Sequence, residues 1–84
     1  SLSFRQRLIT EDNYDFGLLD ISIDGGVTFK TEQRYGNSIS FFTSTFFDLT
    51  PYKSNQVVIR FRLETDDSEQ RDGWYLDDIT ISFE

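Results

Sequence analysis

Acidic side chains are the residues of this chain best suited to chemistry. Glu11 and Asp15 lie in one polar segment, and Asp77 and Asp78 are neighbours near the end of the sequence. Carboxylate oxygens bind hard cations, and a protein-bound Ca²⁺ takes about six to eight oxygen ligands. If the two segments open at the same end of the fold, these four side chains could hold a structural Ca²⁺, with Asp66 as a reserve ligand.

Other kinds of reactive site are excluded by composition. The chain contains no histidine and no cysteine, so it cannot form a Ser-His-Asp or Cys-His catalytic set or the usual zinc sites. Paired carboxylates can hydrolyse glycosides, but neighbouring residues such as Asp77 and Asp78 point to opposite faces of a strand. We therefore predict that the chain is not an enzyme.

The charge balance excludes some classes of partner. The formal net charge is −7, which repels the phosphates of nucleic acids and anionic membrane surfaces. No apolar run reaches the length of a membrane span. We predict neither a nucleic-acid partner nor membrane insertion.

Asp77 falls on the predicted core face of the closing strand. Alternate positions of that strand carry a largely apolar set: Tyr75, Asp77, Ile79, Ile81 and Phe83. Period-two alternation is typical of a half-buried strand, and a carboxylate on its buried face is costly unless it is hydrogen-bonded, paired or bound to a metal. The alternative to the metal is that the loop acids are solvated and that Asp77 accepts backbone N–H bonds or pairs with an arginine: Arg5, Arg7, Arg60 or Arg62.

The elements that must position these residues are all strands. Alternation and turn residues predict strands over residues 1–9, 17–24, 27–30, 39–48, 56–64 and from 73 to the end. The sequence Asp24-Gly25-Gly26 predicts a tight hairpin turn that returns Val27 and Phe29 to the core. With no convincing helix, this pattern indicates an antiparallel β-sandwich, one domain spanning residues 1–84 or the C-terminal part of one.

Two arginines are predicted on the outward face of the fifth of these strands. Arg60 and Arg62 flank Phe61, and they could pair across strands with Glu64 or with Asp20, which is also predicted to face outward. Exposed ion pairs of this kind contribute about 0–1 kcal/mol.

Aromatic residues near the closing strand have two interpretations. Trp74 and Tyr75 could form a sugar-stacking platform together with Tyr14, Tyr35 and Tyr52. The alternative, which the sequence favours, is that these rings pack in the core or at its rim. Trp74 follows Gly73, which makes it the best single candidate for exposure and ligand binding.

Three motifs resemble a known family. ISIDGGVTF, FDLTPYKSNQVVIRFRLETDDS and GWYLDDITI occur in this order, and together they resemble the MAM-like jelly-roll domains of the immune-inhibitor-A and bacillopeptidase-F type. The resemblance covers essentially the whole chain, with Phe29 where such domains commonly carry Trp. It implies a jelly roll of the MAM or galactose-binding type, an extracellular or cell-surface location, a bacterial secreted protein as the parent, and a structural cation.

A complete domain of that family has further strands before the opening one. We therefore expect this chain to be a C-terminal portion, completed by the rest of its parent polypeptide or by a second copy, since an open sheet edge invites pairing. The resemblance implies a non-catalytic accessory or adhesion module that binds a polysaccharide or a cell-surface protein. The alternative is a structural module that stabilises or spaces a neighbouring catalytic domain, often a protease.

Overall fold

Six β-strands form the framework of the described part of the chain. A computed structural model describes residues 1–9, 16–36, 39–52, 56–64 and 73–82. The strands are β1 (Leu2–Ile9), β2 (Phe16–Ser22), β3 (Lys30–Tyr35), β4 (Ile39–Phe47), β5 (Val58–Glu64) and β6 (Gly73–Ile81). The prediction of an all-β chain is confirmed. Within the described ranges, no helix is long and apolar enough to cross a membrane.

The strands form two antiparallel three-stranded sheets. The first sheet has the order β4-β1-β6 and the second has the order β3-β2-β5. The central strands carry the most buried residues, because they have a neighbour on both sides. Alternate residues of β1 are buried: Leu2, Phe4, Gln6 and Leu8.

The hydrophobic core lies between the two sheets. Leu2 and Phe4 of the first sheet pack with Leu19 of the second, and all three are at most 2% exposed. The Phe4 ring meets the Phe61 ring at a centroid distance of 5.2 Å in an edge-to-face arrangement. Burying side chains of this size contributes about 1.5–3 kcal/mol each, so these contacts hold the inner faces of the two sheets together.

A bulge in β6 changes which residues face this core. Ser3 pairs with Thr80 and Arg5 pairs with Asp77, so two residues of β6 lie opposite Phe4 alone. Asp78 has a left-handed backbone with φ of 52°. An extra residue of this kind interrupts the ladder and shifts the following side chains to the other face.

The prediction of which residues of β6 face the core is therefore wrong for the part of the strand that precedes the bulge. Trp74 and Leu76 pair with Leu8 and Gln6 and pack against the core. Asp77 is exposed on the outer face, where it lies opposite Arg5.

The hairpin between β2 and β3 is wider than predicted. Asp24 accepts hydrogen bonds from the backbone N–H and the hydroxyl of Thr28 at 2.9 and 2.6 Å, and Ser22 Oγ accepts the Gly26 N–H at 2.9 Å. These bonds close residues 22–28 as a compact loop, and β3 begins only at Lys30. Val27 is 81% exposed, so the prediction that it returns to the core is wrong.

Candidate functional site

The outer face of the second sheet holds a buried carboxylate. Asp20 lies on the central strand β2, and its side chain is 0% exposed. Its Oδ2 atom lies 2.8 Å from Arg60 Nη2 and 2.9 Å from Arg62 Nε. Thr31 of β3 donates its hydroxyl to Oδ1 at 2.6 Å. One carboxylate thus joins all three strands of the sheet.

The surroundings of Asp20 keep it ionised. Burial alone would raise the pKa of Asp20, but the hydrogen bonds from Arg62, Thr31 and Arg60 outweigh that effect and lower the pKa to about 2. The same contact raises the pKa of the Arg62 guanidinium. A group with so low a pKa is a poor general acid or base at neutral pH, so the arrangement is suited to holding strands together.

Arginine side chains cover this face. Arg60 lies over the Phe29 ring at 4.0 Å from the centroid, and Arg34 lies over the Phe16 ring at 5.0 Å. Leu18, which pairs with Arg34 and Arg62, is 0% exposed although it points away from the core. The arginine stems supply apolar cover while their charged ends reach water, and this cover explains why Asp20 is buried.

The prediction that Asp20 faces outward and can pair with Arg60 or Arg62 is confirmed. The expectation of an exposed pair is wrong for the carboxylate, which is 0% exposed, whereas the two arginine side chains are 45% and 43% exposed. The available signal was that Arg60 and Arg62 share one face of a strand, so both can reach a single acid on the neighbouring strand.

The predicted calcium ligands are only partly described. Glu11 and Asp15 lie outside the described residues, as does Asp66. Asp77 and Asp78 are both exposed, and Asp77 Oδ1 accepts the Asp78 N–H at 2.9 Å. Within the described ranges, no group of three or more potential ligands could hold a metal ion. The four-residue calcium site therefore stays a prediction.

The strand ends that flank the two acidic segments are paired within the sheets. Ile9 pairs with Gly73 and Phe16 pairs with Glu64, so segments 10–15 and 65–72 connect the same two pairs of neighbouring residues. Asp77 lies four residues beyond Gly73, which is about 13 Å along a strand. The two residues that flank segment 10–15 are thus paired with the two that flank segment 65–72, whereas Asp77 and Asp78 belong to the middle of β6.

An arginine lies near the exposed acids of β6. Arg5 Nη1 is 3.9 Å from Asp78 Oδ2, and both side chains are about half exposed or more, at 48% and 67%. The alternative prediction pairs Asp77 with an arginine, and Arg5 is indeed its neighbour across the strands. The ion pair of Arg5 in the structure is, however, with Asp78. An exposed pair at this distance contributes little to stability.

The Trp74 ring is partly buried and packs against the core. It lies 5.6 Å from the Phe61 centroid and 6.0 Å from the Tyr35 centroid. Its Nε1 donates to Gln6 Oε1 at 3.0 Å. A methyl group on Gly17 would come within 2.8 Å of the indole, so glycine is needed there for the close approach. The packing interpretation of Trp74 is confirmed.

Tyr75 lies on the opposite side of β6 from Trp74. Its side chain is 41% exposed, and the Arg7 guanidinium lies 5.7 Å from its ring centroid. Tyr35 and Tyr52 are half-buried, and Tyr14 lies outside the described residues. Trp74 and Tyr75 therefore cannot stack on the same sugar. Of the two predicted ligand-binding residues, Tyr75 is the one that faces solvent.

Strand β4 adds exposed aromatic surface to the first sheet. Phe41, Phe42 and Phe46 are 83%, 41% and 75% exposed, and Arg5 lies over the Phe42 ring at 5.6 Å. The register of β4 against β1 shifts between Gln6 and Leu8. Strand β4 therefore carries an irregularity in its pairing with β1, and phenylalanines are exposed along it.

Comparison with known proteins gives one informative similarity. The chain is 30% identical over 81 residues to Bacillopeptidase F from Bacillus subtilis (strain 168). The aligned region is 96% of this chain but 6% of that protein, so the similarity concerns a small region of a much longer protein. No protein-family model matches the chain. No solved structure matches it.

Proposed function

We propose that this chain is a non-catalytic accessory module of a larger extracellular or cell-surface protein. The observation that carries the proposal is that the similarity spans 96% of this chain and 6% of Bacillopeptidase F, as expected for a small module beside other domains. The two packed three-stranded sheets support a β-sandwich, and the motifs quoted above support the MAM-like jelly-roll type. The proposal includes secretion of the parent protein, which the family resemblance implies.

The role we favour for the module is binding a glycan or a protein at the cell surface. Exposed aromatic rings beside guanidinium groups are suited to stacking on sugars and to contacts with protein partners. Tyr75 beside Arg7 is such a pair on the outer face of β6.

Replacing Tyr75 by alanine is expected to abolish glycan binding while the fold persists, because the side chain is 41% exposed. A glycan array probed with the wild-type chain and with Tyr75→Ala tests this. Thr80→Ala, another exposed position on β6, is the matched control. Equal array signals for Tyr75→Ala and the wild type would remove Tyr75 from the site.

A structural module is the second candidate. The position of Trp74 in the core favours it, since the ring that would have been the best ligand platform is occupied by packing. In this case the array is silent, and deleting the module from the parent protein lowers the melting temperature of the neighbouring domain. An unchanged melting temperature together with a silent array would contradict both roles.

A structural Ca²⁺ remains part of the proposal. The residues that flank segments 10–15 and 65–72 are paired with each other, which supports a site built from the acids of the two segments. Asp77 and Asp78 would join it only if a segment reaches along β6.

Millimolar Ca²⁺ is expected to stabilise the chain by about 3–4 kcal/mol if its concentration exceeds the dissociation constant about 100-fold to 1,000-fold. Melting curves with Ca²⁺ and with a chelator measure this difference, and Mg²⁺ is the control cation. Superimposable curves would eliminate the calcium site.

A further inference from the structure

Strand β4 presents an unprotected edge. It pairs with β1 on one side, and no other strand of the described part of the chain pairs with it. The other edge strands, β3, β5 and β6, each contain charged residues, whereas the nine residues of β4 contain no charge and no proline. Charged residues and proline are the usual means by which an edge strand avoids pairing with another chain.

The sequence of β4 is symmetric about Ser44. Residues 41–47 read FFTSTFF, the same in both directions. If two copies of β4 pair antiparallel with Ser44 at the centre, Phe42 lies opposite Phe46 and Thr43 lies opposite Thr45 of the other copy. A two-fold axis generates each such pair twice, because the same surface patch is used by both subunits.

The side-chain faces of β4 fit this pairing. Ser44 and Phe46 pair with Arg5 and Ser3 on the outer face of the first sheet, and Thr43 and Thr45 pair with Gln6 and Phe4 on its inner face. The pairs on either side of the central Ser44 pair are therefore threonine with threonine and aromatic with aromatic, which are favourable across strands. Phe46, which is 75% exposed in a single copy, would gain a neighbouring ring.

Charge also favours a contact through this strand. Copies with a net charge of −7 repel each other at most surfaces, and like charges placed opposite each other on paired strands are destabilising. Since β4 is uncharged, it is the edge at which two copies approach without that penalty.

We propose that two copies of this chain associate through β4, antiparallel and centred on Ser44, so that their first sheets merge into one continuous sheet. The proposal is independent of the accessory role, because a module of either role could be monomeric or dimeric.

The mass of the chain in solution provides the first test. Size-exclusion chromatography with light scattering over a concentration series is expected to show a species of twice the 9.9 kDa of one chain. The chain has no cysteine, so Ser44→Cys introduces a single thiol at the proposed axis. Directly opposite residues of antiparallel strands have Cα atoms about 4.5–5.5 Å apart, within disulfide reach. Mild oxidation should crosslink Ser44→Cys and should leave the control Thr80→Cys uncrosslinked.

A charge exchange tests the centre of the contact. Ser44→Glu and Ser44→Lys each place like charges opposite each other at the axis, so each variant should be monomeric alone, and an equimolar mixture should restore the dimer. Thr80→Glu, on the other edge strand of the same sheet, should remain dimeric. A wild-type chain that is monomeric at every concentration overturns the proposal. A dimer that persists in Ser44→Glu also overturns it, because the contact must then lie elsewhere.

Discussion

Replacing Trp74 by alanine is expected to lower the free energy of unfolding by about 3–5 kcal/mol, the range for removing a large aromatic side chain from a core. The indole packs between Phe61 and Tyr35, so alanine would leave a cavity between the sheets. The substitution also removes the hydrogen-bond donor of Gln6 Oε1. Gln6 is 2% exposed, and an unsatisfied buried polar group adds about 1–3 kcal/mol.

Equilibrium urea unfolding followed by circular dichroism measures this effect, since the only tryptophan cannot serve as a fluorescence probe after its removal. Trp74→Phe is expected to be intermediate, because it keeps a ring but loses the donor to Gln6. Tyr75→Ala is the matched control from the outer face and should cost much less. If Trp74→Ala were as stable as the wild type, Trp74 would be an exposed residue and the ligand platform would return as its explanation.

Replacing Asp20 by alanine is expected to cost about 2–4 kcal/mol. Removing one partner of a fully buried ion pair costs about 3–5 kcal/mol, but the Arg60 and Arg62 side chains are 45% and 43% exposed and can be rehydrated. The larger part of the loss is the link between strands, since Asp20 accepts hydrogen bonds from Thr31 of β3 and from both arginines of β5.

Asp77→Ala is the matched control for Asp20→Ala. Both remove a carboxylate from an outer face, but Asp77 is exposed, and its loss should change the unfolding free energy by about 0.5 kcal/mol or less. Denaturant unfolding of the two variants under the same conditions gives the comparison. A loss at Asp77 equal to that at Asp20 would mean that β6 is packed in the register first expected from the sequence.

Regular alternation allowed the sequence to predict β1 and β5 well. In β1 the alternate residues Leu2, Phe4, Gln6 and Leu8 are buried. In β5 Arg60 and Arg62 lie on the outer face as predicted, and Ile59 and Phe61 pack against the core. Each of these strands turns the same face to the core along its length, and Phe4 and Phe61 lie on those faces. The hydrophobic pattern alone therefore identifies the buried face.

The predicted faces are wrong where the backbone departs from regular pairing. In β6 the extra residue at Asp78 exchanges the inner and outer faces of the strand between its first and second halves. Alternation does not reveal this bulge, because apolar residues occur both before and after it in the sequence. Strand β3 is polar, so no hydrophobic alternation marks it in the sequence. It is a strand because its backbone pairs with that of β2. A register depends on which strands are neighbours, and that information is not local.

The buried charge could be foreseen only in part. Asp20 has a suitable spacing to Arg60 and Arg62 once β2 and β5 are known to be neighbours. Its burial depends on the arginine stems and on Phe29, which contacts Arg60 because the hairpin is wider than a two-residue turn. The sequence shows the charges, but the cover over them is a property of the folded sheet.

The pH dependence of unfolding tests most directly the claim that Asp20, and not Asp77, is the acid that anchors this fold. The pKa of Asp20 is lowered from 3.8 to about 2 in the folded chain, so its contribution is present above pH 3.8 and is lost as the pH falls toward 2. That difference in pKa corresponds to about 2 kcal/mol. Asp24 and Asp48, whose pKa values are also lowered, act equally in both proteins and cancel in a comparison with Asp20→Asn.

We therefore predict that the stability gap between the wild type and Asp20→Asn narrows by about 2 kcal/mol between about pH 5 and about pH 2. Asp77→Asn should run parallel to the wild type over the same range. A gap for Asp20→Asn that does not change with pH, or a narrowing gap for Asp77→Asn instead, would contradict the assignment of Asp20 as the anchoring acid.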